Sequence, residues 1–113
     1  MQILDNERHP DGKIPMHRAS DNYDLQSCSV ETVKPAGEWN AARLVVNQGK
    51  VEHWLNGTKV VEYELWSPDW EERLAKSKFT EWPAYGRSKS GHICFQDHSD
   101  SWVWFRNARI RRL

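Results

Sequence analysis

Two short stretches hold the residues best suited to proton chemistry: QILDN at 2–6 and QDH at 96–98. Histidine exchanges a proton near neutral pH without a large perturbation, so His98 is a candidate base, acid or metal ligand. It follows Gln96 by two, and on a continuing strand both side chains face the same way. The turn-like run DHSDS at 97–101 offers the plainer reading of a rim histidine. Asp5 ends a short apolar run and precedes Asn6, a setting in which aspartate usually forms a turn or a cap. Its carboxylate has three candidate roles: orienting His98, acting as the base, or joining His98 on a divalent cation, which oxygen and imidazole ligands suit. Residue types alone leave these roles open, and Gln2, earlier on the same run, is a candidate binding group.

Four further residues, His53, Trp54, Tyr23 and Lys34, are candidates for binding. His53 alternates with Val51 and Leu55, while Glu52, Trp54 and Asn56 take the opposite face. A histidine that shares a strand face with Val and Leu is more often a satisfied core residue than a catalyst. Tyr23 in SDNYDL can donate to an oxyanion, and Lys34 before PAGEWN can stabilise a developing anion. A loop anchor and a solvated charge are the plainer readings of these two. His9 and His17 in HPDGKIPMH give only a weak metal signal. There is no Gly-rich phosphate loop, HExxH, GxSxG or CxxC.

The elements that must position these groups are mostly strands. Pro, Gly, Asn and Asp crowd residues 1–38, predicting loops after one short strand at Gln2–Leu4. From Trp39 the stretch WNAARLVVNQGKVEHWLNGTKVVEYEL reads as three strands, with turns at Asn47-Gln48-Gly49 and Asn56-Gly57. Asn-Gly accepts the positive φ of a type I′ turn, so a meander is expected. SPDWEERLAKSK predicts one short helix near 68–77, with Ser67 as cap, Pro68 at its first position and a Glu72/Lys76 pair. Its apolar stripe is only Trp70 and Leu74, which predicts that it lies over a sheet edge. Two more strands are expected at His92–Gln96 and Val103–Arg111, joined by a turn in SDSW at 99–102. The fold class is therefore mainly β, an antiparallel β-sandwich or part of one with one decorating helix.

Composition bounds the function. A chain of 113 residues suits one domain over 1–113, and 16 basic against 16 acidic residues give no net field for polyanions or anionic membranes. The arginines near the C-terminus divide between two strand faces instead of forming one basic strip, which argues against nucleic acid. Seven Trp, three Tyr and three Phe supply burying surface. Cys28 and Cys94 make no metal cluster, and Cys94 in an apolar run is expected as a small buried thiol. The N-terminus turns polar after four residues, unlike a signal peptide, and no apolar run approaches membrane-spanning length.

QILDN at 2–6, KPAGEWN at 34–40, VEHWLNG at 51–57 and GHICFQDH…WFRNARIRRL at 91–113, in this order, resemble successive motifs of the 3-keto-disaccharide hydrolase family. The resemblance implies a concanavalin-A-like jelly roll and a carbohydrate substrate. It also implies that the chain corresponds to the C-terminal portion of a longer family domain, since a GNSG-like segment and a glutamate that precede QILD in the family are not in this sequence. Open sheet edges would then favour a homodimer. The implied substrate carries a ketone at C3 of a sugar ring, which acidifies the C2 proton and lets the C1 substituent leave by β-elimination before water adds. Such a route needs a base, a general acid and an enolate stabiliser. It puts Asp5 and His98 first as catalytic groups, with a divalent metal as a candidate cofactor. Gln2, Tyr23, Lys34, His53, Trp54 and Gln96 are the expected substrate-binding residues, with Trp54 stacking on a sugar face. The family is generally periplasmic or secreted. A sandwich that binds carbohydrate without catalysis is the alternative.

Overall fold

Ala42–Asn47 (β1), Lys50–Leu55 (β2) and Thr58–Glu64 (β3) form one antiparallel sheet in the order β1-β2-β3. The computed structural model describes residues 1–98 and 101–113. Both connections lie in the left-handed region, Gln48 (φ 49°) with Gly49 (φ 90°) and Asn56 (φ 51°) with Gly57 (φ 87°). Paired positive φ values make type I′ turns, whose twist matches that of the flanking strands. The expected meander is present, turn for turn.

Val51, His53 and Leu55 of β2 are buried, while Lys50, Glu52 and Trp54 face the other way. Val61 pairs with His53 but Lys59 pairs with Trp54, so Val60 is an extra residue in β3. This bulge directs both Val60 and Val61 inward, where they pack with Leu55. The Val60 carbonyl accepts the Ser29 amide at 2.7 Å, fastening the N-terminal segment to the sheet.

Pro68–Ala75 (α1) follows, ending slightly short of the expected range. Ser67 Oγ accepts the Trp70 amide at 3.2 Å, and Glu72–Lys76 and Asp69–Arg73 form ion pairs at 2.5 and 2.7 Å. The helix does more than cover an edge. Trp70 and Leu74 join Leu25 in a second core cluster, walled by Tyr63, Leu65, Phe79 and Tyr85. Trp70 stacks with Tyr63 (5.5 Å) and Tyr85 (6.5 Å), so neighbouring rings supply the apolar area that a two-residue stripe lacks. The mainly β, antiparallel reading with one short helix thus holds.

Three expected strands do not form. Gln2 makes a single two-way backbone pairing, donating to Asp21 O (3.0 Å) and accepting from Ser20 N (2.9 Å), without a ladder. His92–Gln96 and Val103–Arg111 carry no strand pairing. Phe95 still meets Phe105 at 4.3 Å, so the two segments approach through side chains. Asn107 has φ 55°, which turns the backbone out of an extended path and breaks the expected alternation of faces. The Arg106 guanidinium lies 3.9 Å over Trp39 and anchors this segment. Of the turn expected at 99–102, Ser99 and Asp100 lie outside the described residues. Cys94 is exposed instead of buried, as are its neighbours Ile93 and Phe95, and both cysteines are free thiols.

Candidate functional site

Residues 2–31 are a layer of turns laid on the buried face of the sheet, and Asp21 is its centre. Fully buried, Asp21 accepts the Cys28 amide through Oδ1 and the Arg18 amide through Oδ2, each at 2.8 Å. Its carbonyl takes the Gln2 amide. Beside it Ser20, at φ 74°, accepts a bond from His53 Nδ1 at 2.9 Å. A continuous hydrogen-bonded path therefore runs from Gln2 through Ser20 to β2. Burial, helped by the N-terminal ammonium, pushes the His53 pKa down to about 4, so the ring is neutral at pH 7 and Nδ1–H is the donor. Tyr63 meets its edge at 5.7 Å. The structure places His53 in the core, tying the layer to the sheet, with 1% exposure.

Asp5 is half-buried in this layer. Its Oδ1 accepts the Glu7 and Arg8 amides at 3.1 and 3.2 Å, the turn geometry expected of Asp before Asn. Asn6 locks the turn by accepting from Ala19 N (2.8 Å) and donating to Glu31 (2.9 Å). Tyr23 is held by its ring: His17 stacks on it at 4.3 Å and Lys78 Nζ lies 4.2 Å above it. His17 is itself clamped, with Nδ1 3.3 Å from Asp11 Oδ2 and Nε2 3.3 Å from Asp24 Oδ1. Asp24 also accepts the Lys78 amide at 2.8 Å. Sequence reading missed this clamp, since residues 11, 17 and 24 share no periodicity and meet only through irregular turns.

The Lys34 amide donates to Asn40 Oδ1 at 2.9 Å. Asn56, assigned by sequence to a turn alone, also donates to Asn40 Oδ1 (2.8 Å) and Thr32 O (2.7 Å), welding the Lys34 loop to the β2–β3 hairpin. Trp54 occupies the opposite sheet face. Its Nε1 donates to Glu52 at 2.7 Å, and the Arg43 guanidinium sits 4.2 Å over the ring. The two side chains, with Ala41, Ala42 and Gly57, line a shallow hollow of about 270 Å³.

Gln96 and His98 are exposed. The His98 amide donates to Asp97 Oδ1, and its carbonyl accepts from Ser101. Among the described residues, no hydrogen bond or ion pair links Asp5 to His98, and no group of three or more His, Cys, Asp or Glu side chains is arranged to hold a metal ion. The structure thus puts Gln2, Asp5 and Tyr23 in one loop layer, ties His53 of β2 to that layer through Ser20, sets Trp54 on the far sheet face, and has Gln96 and His98 on the C-terminal segment. No helix among the described residues is long and apolar enough to cross a membrane.

Comparison with known proteins places this arrangement. Residues 1–111 match the model of the 3-keto-alpha-glucoside-1,2-lyase-like domain. A 3-keto-disaccharide hydrolase from Bacteroides thetaiotaomicron is 38% identical over 125 residues, covering 99% of this chain and 43% of its own length. The crystal structure of a candidate glycosyl hydrolase from Parabacteroides distasonis superposes with a TM-score of 0.61 at 36% identity, over 65% of this chain and 33% of that one. The chain spans less than half the length of either relative. A match running from the first residue almost to the last shows that the chain belongs to the 3-keto-alpha-glucoside-1,2-lyase-like domain family.

Proposed function

We infer that the chain acts on 3-keto-glycosides, cleaving the glycosidic bond by elimination followed by hydration. The observation that carries this reading is the end-to-end match to the family and to a relative named as a 3-keto-disaccharide hydrolase. A base removes the C2 proton, which the C3 ketone acidifies; the C1–O bond breaks as an acid protonates the leaving oxygen; water then adds hydroxyl to C1 and a proton to C2. Two proton-transfer groups and one oxyanion donor suffice. Asp5 and His98 are the candidates for the first role, and Tyr23 and Lys34 for the second. Gln2 and Gln96 would bind sugar hydroxyls. In the Asp5 turn both amides bind Oδ1, which leaves Oδ2, 4.0 Å from Arg8 Nε, as the oxygen to take a proton.

A second reading, carbohydrate binding without catalysis, is favoured by one feature. The Trp54–Arg43 hollow sets an aromatic ring and the guanidinium stacked on it at the surface of the outer sheet face, a pairing that suits a sugar's apolar face and its hydroxyls.

Incubating the purified chain with an aryl 3-keto-glucoside and following aglycone release separates the two. Release by the parent, lost in Asp5→Ala and His98→Ala, is the expected outcome. Binding without release, weakened by Trp54→Ala, would instead establish the second reading.

A further inference from the structure

We propose that His17 is a positioning residue for Tyr23, and that the Tyr23 hydroxyl so held donates to the oxyanion developing on the substrate ketone. The proposal rests on the 3-keto-glycoside reading above. Tyr23 is gripped by its ring: His17 stacks on it at 4.3 Å with 30° between planes, and the Lys78 ammonium lies 4.2 Å over it. The imidazole cannot rotate freely, because carboxylates of Asp11 and Asp24 face its two nitrogens at 3.3 Å. The backbone is pinned as well: the Asp24 amide donates to Met16 O at 2.9 Å, and the Met16 amide to Ser27 Oγ at 3.1 Å.

A tyrosine that only anchors a loop normally uses its hydroxyl for the purpose. Here the ring carries the anchoring, through the stacked His17 imidazole and the Lys78 ammonium. A donor fixed in direction by its own ring stabilises a developing oxyanion without reorganisation. Tyr23 and Asp5 both belong to the 2–31 loop layer, Asp5 in the turn with Glu7 and Arg8 and Tyr23 beside His17 and Lys78.

Four chains test the proposal with an aryl 3-keto-glucoside: the parent, Tyr23→Phe, His17→Ala and His17→Phe. Tyr23→Phe should lower kcat about 100-fold, the usual scale for losing one oxyanion donor. His17→Ala should lower kcat about tenfold with KM within twofold, and His17→Phe, which keeps a ring against Tyr23, should recover part of that loss. A purely structural His17 would shift the urea midpoint and leave kcat of the folded protein unchanged, which overturns the proposal. So does turnover that survives Tyr23→Phe, although the family-based reading then stands. If the folded parent releases no aglycone, that reading falls, and NMR decides the positioning claim. Tyr23 ring signals that move on adding methyl 3-keto-glucoside, and no longer do so in His17→Ala, support it; signals that stay still in the parent overturn it.

Discussion

Among the described residues, the N-terminal layer (residues 2–31) and the C-terminal segment (91–113) both lack strands, yet they are held in opposite ways. In the first, irregular backbone is satisfied group by group: Asp21 alone accepts two amides through its carboxylate and a third through its carbonyl. In the second, Ile93, Phe95, Trp102, Trp104, Ile110 and Leu113 are all more than half exposed. Loop backbone becomes specific when buried polar groups find partners, whereas alternating apolar residues specify a strand only when a neighbouring strand accepts the ladder. Candidate residues sit in both regions, Asp5 and Tyr23 in the first and Gln96 and His98 in the second.

The sharpest way to break the contrast is to disturb the layer where it has no slack. A Cβ at Gly12 would come within 2.2 Å of the Asn6 carbonyl oxygen, so Gly12→Ala forces backbone to move and should cost about 3 kcal/mol in urea unfolding. Asp21→Ala leaves the partly buried Arg18 and Cys28 amides without their partners and should cost about 2 kcal/mol.

Next comes pH. The His53 pKa is about 4 in the folded chain against an ordinary 6.5, so the unfolded chain takes up the proton first as pH falls. Stability is therefore full above about pH 6.5 and declines toward pH 4, by at most about 3 kcal/mol. His53→Gln should flatten the fall in urea midpoint between pH 7 and 4.5; an unchanged slope would show that His53 does not link the layer to the sheet. Smallest of all, Ile110→Ser removes a side chain that is 82% exposed and should change stability by less than about 0.5 kcal/mol. A larger loss would mean that the C-terminal segment packs as the layer does.

The same contrast explains what the sequence disclosed. The meander and the helix were legible because their signals are local: Gln48-Gly49, Asn56-Gly57 and Ser67-Pro68 dictate turns and a cap whatever lies around them. Val60 was not legible as a bulge, since a bulge depends on the register of a partner strand. The core position of His53 was the favoured reading from its neighbours Val51 and Leu55, but its bond to Ser20, 33 residues away, left no local mark. His17 was passed over for the same reason, as Asp11 and Asp24 come together only through turns at positive φ. The 103–111 alternation looked like a strand, and Asn107 bends it where no partner holds it straight. Asp5 and His98 were put forward on residue type and motif order, which carry family membership but not geometry.

The most direct test of the central claim follows the C2 position itself. The chain is incubated with a 3-keto-glucoside in D2O, and the released 3-keto-glucose is examined by mass spectrometry and NMR. Elimination followed by hydration predicts one deuterium at C2 in every product molecule, beyond an enzyme-free control. Release with hydrogen retained at C2 would contradict the elimination route, and no release from the folded chain would contradict the activity.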